Sequence, residues 1–151
     1  MIVDSERVLT GDLIAAQARL WIGTPWHHQA SLRGVGCDCI GLVAGVAGAV
    51  GLPEAEQWRQ DMRFQGYGRL PEPAKLLRAC ALYLDRVNIA RKGDVLLMAF
   101  FDQPMHFGIL SSEVPRRMVH AYEPRGRVIE QIIDAKWHAR QVAVFRLRGV
   151  A

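Results

Sequence analysis

The stretch "DCIGLVAGVAGAVGL", residues 38–52, fixes the architecture around it. From Cys39 to Leu52 every residue is apolar or glycine. A helix that is apolar on all sides is buried on all sides, so this segment is read as the central helix of a core. Asp38 stands where an N-cap belongs, and Gly51-Leu52-Pro53 marks the end. Gly41, Gly45 and Gly48 each weaken the helix by about 1 kcal/mol. Their presence implies that neighbouring backbone passes close by. With 151 residues, half of them hydrophobic, the chain suits a single domain over 1–151 built around this helix.

Working outward, "TGDLIAAQARLWIG" (10–23) reads as a first helix, capped by Thr10 and stopped by Gly23. Ile14, Ala18 and Trp21 recur at helical spacing, beside a second stripe of Leu13, Ala16 and Leu20. Residues 24–36, with Pro25 and two glycines, read as a loop. Residues 53–72 are mixed and loop-like. "PEPAKLLRACALYLDRV" gives a third helix over roughly 73–87, with Cys80 in the core. Beyond it the texture changes. "GDVLLMAF", "MHFGILSS", "RMVHAYE", "RVIEQII" and "QVAVFRLR" read as five strands. Turn signals separate them at Asp102-Gln103-Pro104, Glu113-Val114-Pro115 and Glu123-Pro124-Arg125-Gly126. Helices followed by a strand meander predict an α+β fold, with the helices packed on a five- to six-stranded antiparallel sheet.

The net charge is +4, from 19 basic and 15 acidic residues scattered along the chain. No basic run marks a nucleic-acid partner. The N-terminus lacks a basic start followed by an apolar stretch, so neither a signal peptide nor an anchor is expected. The apolar run 40–52 is too short and glycine-rich to span a membrane, and no membrane partner is expected. Three cysteines exclude a full disulfide framework, and Cys37 and Cys39 are too close to close a useful loop. Reduced thiols, made in the cytoplasm, are the simpler reading.

A thiol at the first turn of a helix meets unpaired N–H groups and the positive end of the helix dipole, which favour the thiolate. Cys39 occupies that place if Asp38 caps; Cys37 lies before the cap. A thiolate nucleophile needs a base, held by a third polar group. His106 and His120 both fall inside predicted strands. Alternation puts Met105, Phe107 and Ile109 on one face of their strand, and His106, Gly108 and Leu110 on the other. Closing the hairpin through a three-residue loop between Ser111 and Pro115 sets His106 directly opposite His120. A one-residue slip would turn His120 away. The residues alone leave other readings open. A helix-start cysteine is commonly a core residue. His27, His28, Cys37 and Cys39 offer zinc-binding groups, although their spacing fits no common zinc pattern. His138 is read as a surface residue, and Trp21, Trp58 and Trp137 as packing.

The sequence resembles the NlpC-type cell-wall peptidases, a papain-like cysteine peptidase family, and within them the subgroup associated with phage tail and gene-transfer-agent genes. The resemblance rests on "IGTPWHHQASLRGVGCDCIGLVAGV" (22–46), "GDVLLMAF" (93–100), "HFGIL" (106–110) and "MVHAYE" (118–123), in the family's order. It implies a papain-like α+β fold, Cys39 as nucleophile, His106 as base and His120 as the orienting residue. Asp38 falls in the family's Asp-Cys-Ser-Gly-Leu core, where Ile40 replaces the serine. Trp26 stands where the family has tyrosine near the active site. His27 and His28 are typical of the phage-like subgroup and, with Trp26 and Asp38, are candidate substrate-binding residues. The implied reaction is cleavage of an amide in a peptidoglycan stem peptide, usually between γ-linked D-glutamate and the following diamino acid. No metal or organic cofactor is implied. The expected partners are the stem peptide and phage tail or baseplate proteins, with action at the cell wall as part of a virion-like particle. Two alternatives share the sequence: a non-enzymatic tail component, and an amidase or acyltransferase with the same residues.

Overall fold

The computed structural model describes residues 8–65 and 73–151. Residues 66–72, part of the stretch read as a loop, lie outside them. The central helix α2 (Cys39–Ala49) begins where the sequence places it. Asp38 is extended, and its Oδ1 accepts the Gly41 N–H at 2.8 Å. Residues 39–47 are all buried. Burial of Ile40, Leu42, Val43 and Val46 stabilises by about 1.5–3 kcal/mol apiece. That outweighs the roughly 1 kcal/mol that each glycine costs. The glycines also have steric reasons. A side-chain carbon at Gly41 would lie 1.9 Å from the Ala30 carbonyl oxygen, and one at Gly45 2.2 Å from the Trp21 ring.

Helix α1 (Gly11–Arg19) is capped by Thr10, whose hydroxyl accepts the Leu13 N–H at 3.3 Å. Of the two apolar stripes, Ile14, Ala18 and Trp21 are buried, while Ala16 and Leu20 face solvent. Two short strands, β1 (Ser31–Leu32) and β2 (Gly36–Cys37), pair inside the segment read as a loop. Residues 55–65 correct the loop reading of 53–72. They form α3 (Ala55–Gln65), which lays Ala55 and Trp58 into the core, with Trp58 stacked on Tyr83 at 5.0 Å. Helix α4 (Pro73–Tyr83) buries Leu76, Cys80 and Tyr83. It stops four residues earlier than expected, because residues 84–87 become strand β3 (Leu84–Val87).

The five expected strands are present as β4 (Val95–Phe100), β5 (Gln103–Glu113), β6 (Arg116–Tyr122), β7 (Arg127–Ile132) and β8 (Gln141–Leu147). With β3 they form one antiparallel sheet in the order β3-β8-β4-β5-β6-β7. Strands β4 to β7 are a meander. After β7 a short helix, α5 (Ala135–Arg140), carries the chain back to the other side of β4. Helix α2 packs on one sheet face, where Val95, Leu97, Phe107, Ile109 and Val119 join its core. The other face gathers Leu96, Met98, Leu110, Met118 and Val144 under Trp137 of α5. Among the described residues no helix is long and apolar enough to cross a membrane.

The β5–β6 hairpin departs from the expected register. Its turn has two residues, Val114 and Pro115, between the paired Glu113 and Arg116. The register then shifts between Leu110 and Ser112, leaving Ser111 unpaired as a bulge. The Ser111 carbonyl freed by this bulge accepts a hydrogen bond from Arg19 at 2.8 Å. Beyond the bulge Ile109 pairs with Val119, so His120 faces Gly108 rather than His106. A side-chain carbon at Gly108 would lie 3.6 Å from His120 Cβ. The shift from expectation is an even number of residues, so both histidines remain on one face.

Candidate active site

Cys39 is the first residue of α2, and a cavity of about 360 Å³ opens beside it. Its wall includes Trp26, Asp38, Cys39, His106, Tyr122 and Arg140. Trp26 is placed by backbone bonds from its own N–H to Gly126 and from Cys37 to Pro25. The 27–31 segment is tied across the start of α2. Gln29 N–H donates to Asp38 Oδ2 at 2.8 Å, Asp38 N–H to the Ala30 carbonyl at 3.3 Å, and Ser31 Oγ to the Gly41 carbonyl at 2.7 Å. Asp38 thus does two jobs: it caps the helix and anchors the loop.

His106 lies on β5 directly after a register shift in the β4–β5 ladder, where Met98 pairs with His106 but Ala99 with Pro104. Bulges of this kind re-aim a neighbouring side chain. His106 Nε2 and His120 Nδ1 are 2.8 Å apart, on a diagonal across the two strands. His120 Nε2 is in turn 2.8 Å from Gln131 Oε1 on β7. An amide oxygen only accepts, so His120 Nε2 carries its proton and His120 Nδ1 a lone pair. His106 Nε2 must then be the donor, and His106 Nδ1 is left with a lone pair. Gln131 therefore sets the tautomer of both rings.

Aromatic residues close around this pair. Tyr122 stacks on His120 at 5.1 Å, Trp137 meets His120 edge-on at 5.2 Å, and Phe100 meets His106 edge-on at 5.9 Å. Burial, with the neighbouring His120 and Arg140, holds His106 well below 6.5. Burial likewise lowers His120 to about 4, against an opposing contribution from Gln131. Cys39 is only 4% exposed. Burial and the Asp38 carboxylate push its thiol up to about 12, against the N–H groups of Phe107, Ile40 and Cys39 itself. Burial and Asp38 thus oppose the pull of the helix start on this thiol, while burial favours a neutral His106. A neutral imidazole with a free Nδ1 can act as a base toward a thiol beside it.

The two buried imidazoles bear on stability. Each has a folded-state value below its unfolded one, so the unfolded chain binds protons first as pH falls. Their contribution is complete above about pH 6.5 and is lost on acidification. For His120, a fall to about 4 corresponds to about 3 kcal/mol. Urea unfolding at pH 7 and pH 4.5 is expected to show a loss on this scale, and His120→Gln is expected to reduce it. An equal acid loss in both proteins would show that His120 is not the responsible group.

The other sequence candidates fall elsewhere. Cys37 is fully buried in β2, its thiol pushed up to about 12, chiefly by burial. His27 is exposed and lines a separate groove with Glu56 and Arg59, its Nδ1 bonded to the His28 carbonyl at 3.0 Å. His28 does not line the Cys39 cavity either. His138 is exposed and contacts Arg116 at 2.8 Å. Among the described residues no three His, Cys, Asp or Glu side chains are grouped to hold a metal. Sequence reasoning missed Gln131, Tyr122 and Arg140, and read Trp137 only as packing. The alternation of β7 with β6 puts Gln131 on the His120 face, a signal available once the two strands are paired.

Comparison with solved structures places this architecture among NlpC/p60 domains. The NlpC/p60 domain of the peptidoglycan hydrolase SagA covers 92% of this chain and is itself covered completely, with a TM-score of 0.59 and 23% identity. An NlpC/P60 family protein from Bacillus cereus gives a TM-score of 0.60 at 12% identity, covering 93% of this chain and 41% of its own. A protein of Staphylococcus aureus described as similar to lipoprotein, of the NLP/P60 family, gives 0.57 at 15% identity, with 96% and 45% coverage. The chain thus spans less than half of these two larger proteins. No family profile matches the sequence, and no curated protein does. The α+β architecture, with helices on a six-stranded antiparallel sheet, is the papain-like fold of NlpC/p60 domains.

Proposed function

We propose that this chain is a cysteine peptidase that hydrolyses an amide bond in peptidoglycan stem peptides, between γ-linked D-glutamate and the following diamino acid. The carrying observation is that Cys39 and His106 line one cavity, while a chain of hydrogen bonds through His120 to Gln131 leaves His106 Nδ1 free. The substrate class comes from the NlpC/p60 fold and from the motif resemblance at 22–46. That same stretch, by its likeness to the phage-associated subgroup, supports delivery to the cell wall in a virion-like particle with tail or baseplate proteins as partners.

The Cys39 sulfur attacks the amide carbonyl carbon while its proton passes to His106 Nδ1. The carbonyl oxygen becomes an oxyanion, held by the Cys39 backbone N–H at the start of α2. The oxyanion collapses, the carbon–nitrogen bond breaks, and His106 delivers its proton to the leaving amine. A thioester remains on Cys39. Water then gives a proton to His106 and attacks the thioester, and the departing sulfur takes that proton back. One amide and one water become one carboxylic acid and one amine. His120 holds the His106 ring and shares its charge during the two transfers, and Gln131 holds His120. These steps require no metal or organic cofactor.

The test is digestion of purified peptidoglycan followed by mass spectrometry of the fragments. The expected products carry a new γ-carboxyl on glutamate and a new amine on the diamino acid. Fragments cut at another bond would reassign the substrate. Absence of any cleavage, with folded protein, would favour a non-enzymatic tail component.

A further inference from the structure

One cation stands in the Cys39 cavity without a role in the steps above. Arg140, the last residue of α5, lines the cavity together with Cys39 and His106. Its guanidinium carbon sits over the Phe100 ring at 4.5 Å and over the Trp137 ring at 4.6 Å. Among the described residues no carboxylate pairs with it, and none accepts a hydrogen bond from it. Two aromatic faces hold the charge in place, and a held guanidinium loses little further freedom on binding a partner. The acidic groups of the cavity wall are Asp38 and Glu123. Asp38 is occupied by the N–H groups of Gly41 and Gln29. Among the described residues of the wall, Arg140 is the cation that an anionic ligand group entering this space meets. The guanidinium therefore marks a place in the wall to which an anionic group is drawn.

We propose that Arg140 is a carboxylate-binding subsite, which holds a free carboxylate that the substrate carries close to the scissile amide. The proposal rests on the peptidase reading and narrows its substrate class. A γ-glutamyl amide keeps its α-carboxylate free, whereas an ordinary α-linked peptide consumes that group in the chain. A planar guanidinium binds a carboxylate through two parallel N–H donors, a geometry that a carboxamide cannot match in charge. Arg140 thus selects γ-linked, non-amidated acidic peptides over their α-linked or amidated counterparts. Trp137 and Phe100, beneath the guanidinium, are its supports.

The experiment uses two synthetic γ-D-glutamyl peptides, one with a free α-carboxylate and its α-carboxamide twin. Wild-type protein is expected to cleave the carboxylate peptide with a kcat/KM about 10- to 100-fold higher than the twin. Arg140→Gln is expected to remove most of that preference, chiefly through KM, so that the ratio between the two peptides falls towards one. Arg140→Lys, which keeps the charge but not the fork, is expected to fall between. A purely structural Arg140 would lower both substrates equally, and that result, or an unchanged preference, would overturn the subsite. A binding measurement separates this from the peptidase reading. In a Cys39→Ala background, both peptides are titrated while tryptophan fluorescence is followed, since Trp26 and Trp137 flank the site. Arg140-dependent binding of the carboxylate peptide without any cleavage by wild type would keep the subsite and overturn the peptidase. Cleavage without such dependence would do the reverse.

Discussion

Cys39→Ala is expected to abolish cleavage of stem peptides, by at least about 10⁴-fold in kcat, and to leave the folded structure in place. The magnitude follows from the role. Without sulfur there is no thioester, and His106 has no proton to accept. The change is small for the fold, because alanine retains the Cβ and has the best helix propensity. Cys37→Ala, two residues away, is the internal control. Cys37 is fully buried on β2, and its chain bonds to Pro25 and His27 run through backbone atoms that alanine keeps. Its cost is a small cavity in the core, expected at about 1 kcal/mol of stability, with kcat nearly unchanged. The measurement is kcat on a defined peptide beside denaturant unfolding for all three proteins. Equal loss of activity in both variants would remove Cys39 as the nucleophile.

Gly41→Ala is expected to destabilise the fold by about 3 kcal/mol or more, and to impair activity through the position of Cys39. Intrinsic propensity favours alanine in a helix by about 1 kcal/mol, so propensity alone predicts a gain. Packing decides the opposite sign. The added carbon would lie 1.9 Å from the Ala30 carbonyl oxygen and 2.9 Å from its carbon, both main-chain atoms. Relief requires the 27–31 segment to lift from α2. That strains the bonds from Gln29 to Asp38 and from Ser31 to Gly41. The new carbon would also lie 3.1 Å from Asp38 Oδ1, which crowds the cap of Cys39's own helix. Gly48→Ala is the contrast, since its new carbon meets the far end of Arg59, 3.0 Å away. That side chain can move, and the variant is expected within about 1 kcal/mol of wild type. Chemical denaturation of the two variants reads the difference directly. A stable Gly41→Ala protein would mean that the loop does not rest on the helix.

How far the sequence reaches is clearest where it failed. The composition of α3 reads as loop because its few apolar residues stand among charged and polar neighbours, and only the space beside α2 and Tyr83 makes Ala55 and Trp58 core. Residues 84–87 continue the composition of α4, yet the free edge of β8 draws them into a strand. In the hairpin, alternation together with an assumed three-residue turn puts His106 and His120 on one face. Their exact pairing differs from that expectation, because the Ser111 bulge and a two-residue turn are invisible to a period-two pattern. His27, a candidate through the resemblance alone, lines a groove with residues of the β1–β2 hairpin, which no local pattern indicates.

Local signals determined a great deal by themselves. Asp38 before an unbroken apolar run dictated a buried helix with Cys39 at its first turn, since capping and hydrophobic periodicity act within a few residues. The switch from helical to alternating texture near residue 93 dictated helices followed by an antiparallel sheet. What only the folded molecule decided is the chemistry of the groups so placed. Whether a thiol ionises depends on how much water reaches it, and burial beside Asp38 pushes this one upward against the helix start. Which nitrogen of His106 is free depends on Gln131, two strands away. Where the cavity holds its positive charge depends on α5 bringing Arg140 onto Phe100. Each of these comes from groups distant in sequence meeting in a water-poor space, where charge and hydrogen bonding are set by neighbours rather than by residue type.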